Sequence, residues 1–179
     1  MIGPGSGTEW QAADLDGLPD DGLRYELADG VLLVSGSRTP HHQHALFELA
    51  LILGPACPPH LRTLLGPIEF RPTPQRSFQP DLMVARVEDI GEKNLTHPPV
   101  LAVEVLSPGT ALVDLNLKRK AYAQSGIQSY WIFDPEAEEL VTHERDGENY
   151  TETGRVSGDA ELAVALPFPV TVRPADLVL

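Results

Sequence analysis

Residues 99–106 read Pro99-Val100-Leu101-Ala102-Val103-Glu104-Val105-Leu106, and residues 129–133 read Ser129-Tyr130-Trp131-Ile132-Phe133. The first run is apolar at both alternating sets of positions except at Glu104, the pattern of a strand covered on both faces in a sheet centre. The second is equally apolar and aromatic-rich, as a buried strand requires. Between them, Thr110 is placed to cap a helix over 111–124, and Gly126 to stop it. Strand, helix, strand is a βαβ unit, which predicts that the two strands run parallel. An α/β fold follows.

Outward from this unit, residues 79–85 (Gln79-Pro80-Asp81-Leu82-Met83-Val84-Ala85) read as a strand with a polar start. Residues 24–27 and 31–34 flank Ala28-Asp29-Gly30, a hairpin signal. Thr39 caps a helix with Pro40 at its first position. Leu46, Leu49, Ala50 and Leu53 give that helix an apolar face, and Gly54-Pro55 and Pro58-Pro59 are expected to end it. Short strands are expected over 62–65 and 68–70. Toward the C-terminus, residues 139–145 and 148–153 form a second hairpin closed by Asp146-Gly147. The Pro-rich tail beyond it carries only weak signals.

The chain has 179 residues, enough for one domain with a proper core. Its apolar fraction of 42% and mean hydropathy of −0.12 are those of a globular protein and not a disordered one. No apolar run approaches the ~18–20 residues that cross a bilayer, and residues 1–7 lack the charged and apolar regions of a signal peptide. A cytoplasmic location is expected. The single cysteine, Cys57, excludes an internal disulfide and a multi-cysteine zinc site. The net charge of −13 argues against broad, non-specific binding of nucleic acid. The acids, however, are concentrated at the two ends, and residues 30–133 hold eight acids against nine bases. A local site for an anionic polymer fits that middle.

Glu104 is the residue that needs a reason, because a lone carboxylate inside an apolar strand is costly unless it is paired or holds a metal. Asp81 repeats the pattern at the start of another strand, and Glu26 lies in the first. Lys118 stands one helical turn before Tyr122, so both share a helix face. Two or three carboxylates at neighbouring strand ends are what a hard cation such as Mg²⁺ takes. A lysine beside them can position water or offset charge on a phosphoryl oxygen. The competing reading is a buried ion-pair cluster with no ligand. Against it, Asp81 and Glu104 outnumber Lys118, which leaves negative charge to be neutralised.

At these residues the chain resembles the PD-(D/E)XK endonuclease-like superfamily, and more closely the bacterial Uma-type restriction endonuclease family, a domain of unknown function. The resemblance is carried by Arg24-Tyr25-Glu26-Leu27-Ala28-Asp29-Gly30, Gln79-Pro80-Asp81-Leu82 and Val103-Glu104-Val105-Leu106-Ser107-Pro108. Lys118, Tyr122-Ala123, Gly126-Ile127 and Tyr130-Trp131-Ile132-Phe133-Asp134-Pro135 complete it. It implies a restriction-endonuclease-like mixed β-sheet core flanked by helices. Residues 1–19 would be a partly flexible leader, 20–160 the endonuclease-like domain and 161–179 an extension packed on it. Asp81 and Glu104, joined by Glu26, would bind Mg²⁺ or Mn²⁺. In the parent motif the lysine follows the acid by two residues, a position held here by Leu106; the Uma-type pattern takes its lysine from the next helix, which gives Lys118.

The implied reaction is metal-dependent hydrolysis of phosphodiester bonds, with DNA as the expected substrate and a homodimer as the expected assembly. Catalysis would rest on Asp81, Glu104, Lys118 and Glu26, while Arg119 and Lys120 would touch backbone phosphates. The alternative is a catalytically silent endonuclease-fold protein that binds nucleic acid or another protein. His41, His42 and His44 do not show the four-residue spacing of helical zinc ligands. They read as solvated or substrate-edge groups, with His44 best placed to reach a site. Tyr130 and Trp131 read as core, and Cys57 and Ser107 lack the partners of a nucleophile.

Overall fold

The computed structural model describes residues 9–95, 97–107 and 117–179. At its centre lies a six-stranded mixed sheet with the order β11-β10-β9-β8-β6-β3. These strands are β3 (Leu61–Leu65), β6 (Leu82–Arg86), β8 (Leu101–Val105), β9 (Ser129–Asp134), β10 (Glu139–Asp146) and β11 (Asn149–Ser157). β8 and β9 run parallel, with Val103 opposite Trp131, as the βαβ reading requires. β6 is antiparallel to β8, with Leu82 opposite Val103.

A second sheet, ordered β2-β1-β5-β4-β7, is built from β1 (Arg24–Ala28), β2 (Val31–Ser35), β4 (Glu69–Thr73), β5 (Arg76–Phe78) and β7 (Asn94–Leu95). β1 and β2 form the expected hairpin. Its two loop residues, Asp29 and Gly30, have φ of 50° and 80°, the left-handed pair of a type I′ turn. A small hairpin, β12 (Leu162–Val164) with β13 (Val170–Val172), completes the β-structure of the described residues.

The central sheet separates two cores. On one face, Leu82, Val103, Val105, Trp131 and Phe133 pack against Ala45, Leu46, Leu49 and Leu53 of α1 (Pro40–Ala56), with Phe168, Val172 and Leu177 of the C-terminal segment joining them. On the other, Met83, Ala102, Tyr130 and Ile132 meet Tyr122 of α2 (Arg119–Gln124) and Phe70 and Phe78 of the second sheet. Thr39 caps α1 by accepting the His42 N–H at 3.2 Å.

Three boundaries differ from the sequence reading. Of the two expected stops, Gly54-Pro55 is carried inside α1, which runs to Ala56 just short of Pro58-Pro59: the buried Leu53 anchors the last turn, and the Cys57 N–H closes it on the Gly54 carbonyl. Asp81 precedes β6 instead of lying within it. The loop of the β10–β11 hairpin is Gly147-Glu148, since Asp146 still pairs with Asn149. The predicted cap at Thr110 and helix residues 111–116 lie outside the described residues; α2 begins at Arg119.

Candidate active site

Sheet register brings the two strand carboxylates together. Leu82 pairs with Val103, so the next positions along this antiparallel ladder are Asp81 and Glu104. Alternation then turns Glu104 to the face of Ala102, toward α2 and the second sheet. Gly66, in the turn before β4, holds this edge in place. Its N–H donates to the Asp81 carbonyl at 2.8 Å, and a Cβ there would collide with the Pro80 carbonyl. From β1, Glu26 Oε1 accepts the Gln79 N–H at 2.8 Å, while Arg24 donates to the Gln79 carbonyl at 2.8 Å. The Gln79-Pro80-Asp81 bend is thus clamped from both sides.

Lys118 lies in the same cluster. Its Nζ is 2.8 Å from Glu26 Oε2 and 3.0 Å from Glu104 Oε1, with only 2% of the residue exposed. One turn along, the Tyr122 hydroxyl donates to the same Glu104 oxygen at 2.6 Å. Burial, with the charges of Glu104 and Glu26, pushes the Tyr122 phenol well above its ordinary value, so it stays a donor. Glu26, Glu104 and Lys118 therefore converge from β1, β8 and the start of α2.

Asp81 is held by a separate set of groups. Oδ1 accepts from Arg24 at 2.8 Å and from Arg38 at 3.1 Å. Oδ2 accepts the Val105 backbone N–H at 3.0 Å and lies 3.1 Å from His42 Nε2. Burial raises the Asp81 carboxyl, but the His42 hydrogen bond and the Arg24 and Arg38 charges outweigh it and hold the group well below the carboxylate range. Burial opposes the charge of Arg24 too, and there Asp81, Glu26 and Glu104 together prevail.

The remaining sequence-picked residues lie elsewhere. Arg119 donates to the Tyr150 carbonyl at 3.1 Å, and Lys120 is exposed. The histidine that reaches the cluster is His42, not His44, whose Nδ1 is 4.0 Å from Glu48. His42 is buried because it shares the α1 face of Ala45, Leu46 and Leu49, at helical spacing from each. That spacing was readable in the sequence, as was the Arg24–Glu26 alternation that puts both side chains on one strand face. Arg38 lies outside any periodic element, and no pattern marks it. Arg24 and Arg38 also correct the charge count. Among the described residues, three carboxylates meet three permanent cations, which offsets the negative surplus expected from Asp81, Glu104 and Lys118 alone.

Carboxylate oxygens are the donor set that Mg²⁺ or Mn²⁺ takes, and Asp81, Glu104 and Glu26 supply it within one cluster. Among the described residues, however, no three His, Cys, Asp or Glu side chains are grouped to grip one ion. The cluster fits a divalent cation in kind, with arginine and lysine now holding its oxygens.

A mixed sheet carrying an acid at a strand start, a second acid across the ladder and a lysine from the following helix defines a restriction-endonuclease-like α/β protein. The chain belongs to the Uma2 family, described as "Putative restriction endonuclease", whose model matches residues 12–176. Among solved structures it is similar to a crystal structure titled as a "putative nuclease belonging to DUF820" from Anabaena variabilis. That match has a TM-score of 0.74 at 18% identity and covers 93% of this chain and 96% of the other, a likeness of fold. No curated protein matches the chain.

Proposed function

We propose that this chain is a Mg²⁺- or Mn²⁺-dependent nuclease that hydrolyses phosphodiester bonds in DNA. The observation that carries the reading is the placement of Asp81 and Glu104 side by side across the β6–β8 ladder, with Lys118 joining Glu104 to Glu26. Asp81 and Glu104, with Glu26 beside them, would hold the cation, whose chemistry is to polarise a phosphoryl oxygen and lower the pKa of an attacking water. Lys118 would position that water or offset negative charge developing on the phosphoryl oxygens. Tyr122 fixes the Glu104 carboxylate, and the Val105 N–H fixes Asp81. A homodimer would supply two such sites, one for each strand of a duplex.

A second reading is a catalytically silent endonuclease-fold module that binds nucleic acid or protein. It is favoured by the balance of Asp81, Glu26 and Glu104 against Arg24, Arg38 and Lys118. The two readings separate in a cleavage assay on plasmid, linear and single-stranded DNA and on RNA, with Mg²⁺, Mn²⁺ or a chelator. The nuclease reading expects metal-dependent cleavage that is lost in Asp81→Asn. Cleavage unchanged by Asp81→Asn points to a contaminant, and an absence of cleavage on every substrate favours the silent module.

A further inference from the structure

Asp81 already accepts from four donors, about the full capacity of a carboxylate. A metal can therefore reach it only by displacing one of them. The Val105 N–H is fixed by the sheet, and His42 is 1% exposed within α1. The arginine side chains are the two partners with room to move, at 14% exposed for Arg24 and 9% for Arg38. Arg38 is also under-used, since its buried Nε has no hydrogen-bond partner among the described residues. It leaves the chain between β2 and α1, outside both elements.

Charge sets the second condition. Among the described residues, three carboxylates and three permanent cations sum to zero, so adding a dication alone would leave a buried surplus of two positive charges there. Burying such a surplus is costly. Two backbone phosphates, each carrying one negative charge, remove it, and the planar guanidinium fork binds phosphate as readily as carboxylate.

We propose that Arg24 and Arg38 are the phosphate-binding pair of this site, and that they and the divalent cation exchange places on Asp81. In the free protein the arginines hold Asp81. On binding, the nucleic-acid backbone phosphates take the arginines and the cation takes the carboxylate, so each ligand strengthens the other. This deepens the nuclease reading and rests on it. It also assigns backbone contact to the arginines of the cluster, where the sequence had suggested Arg119 and Lys120.

The test is Mn²⁺ titration by calorimetry, on wild type alone and on wild type saturated with a short DNA duplex bearing cleavage-resistant phosphorothioate linkages. Mn²⁺ is expected to bind about tenfold or more tightly with the duplex, within the usual range of coupling between sites. In Arg38→Gln, Mn²⁺ alone should bind about fivefold more tightly than in wild type, and the gain from the duplex should shrink. The wild-type comparison stands even where that variant folds poorly. Equal Mn²⁺ affinity with and without duplex overturns the exchange while leaving a metal site in place. No Mn²⁺ binding under either condition overturns the exchange and the metal-dependent nuclease together.

Discussion

The two faces of strand β8 are built on opposite principles. Val103 and Val105 point into an apolar core with Ala45, Leu46, Leu49 and Leu53 of α1. Ala102 and Glu104 point the other way, toward Tyr122 and Lys118 and a cluster of eight ionisable side chains among the described residues, counting Glu26, Asp81, Arg24, Arg38, His42 and Glu104 itself. One-residue steps along a single strand thus pass from packing to charge. The apolar face explains why the sheet is stable. The charged face costs desolvation at every group, and ion pairs of this kind often do no better than hydrocarbon of the same shape. A protein that needed only stability would have no reason to build it.

Substitutions can break this comparison. Trp131 is fully buried in the core that α1 and the C-terminal segment cover, and Trp131→Ala should remove about 3–5 kcal/mol of stability in urea unfolding. A smaller loss would mean that this core is loosely packed. On the opposite face, Lys118→Met leaves Glu26 and Glu104 buried without their shared cation, at a cost of about 3 kcal/mol. Adding Glu104→Gln to that variant should recover part of the loss, since one stranded charge is gone. Failure of the double variant to recover would show that Lys118 acts through its packing and not through its charge.

A smaller effect should come from Gly66→Ala. Its Cβ meets the Pro80 carbonyl, so the turn must shift at a cost of about 1–3 kcal/mol, and Asp81 must move with it. Cleavage should fall more than stability does. The smallest effect belongs to His143, which is buried beside the rings of Tyr130 and Tyr150. Burial, helped by the Arg119 charge, lowers its pKa from 6.5. The folded state therefore takes up a proton less readily than the unfolded chain. The stability linked to His143 is present above pH 6.5 and lost as pH falls through the folded value. His143→Phe should flatten the unfolding midpoint measured across that window, and an unchanged slope would place its origin in another group.

Much of this was readable in the sequence because the central elements obey strict periods. The doubly apolar run at 101–105 and the aromatic run at 129–133 could only be buried strands, and their parallel pairing followed from the helix between them. Asp81, Glu104 and Lys118 stood out because each interrupts or flanks such a pattern. Arg24, Arg38 and His42 were harder to see. They hold Asp81 across 57, 43 and 39 residues of chain, and only the folded sheet brings them there. Counting charges along the sequence therefore overstated the negative surplus. The short β5 and β7 strands were missed because two or three residues are too few to show alternation.

The most direct measurement compares adjacent residues of β8, reading metal-dependent DNA cleavage and urea midpoint for Glu104→Gln and Val105→Ala. If the charged face carries the reaction, Glu104→Gln loses about 10³-fold or more in cleavage at temperatures where it remains fully folded, a loss larger than any fall in its midpoint explains. Val105→Ala then does the reverse, losing midpoint while cleavage at low temperature survives. Wild-type cleavage in Glu104→Gln would contradict the account.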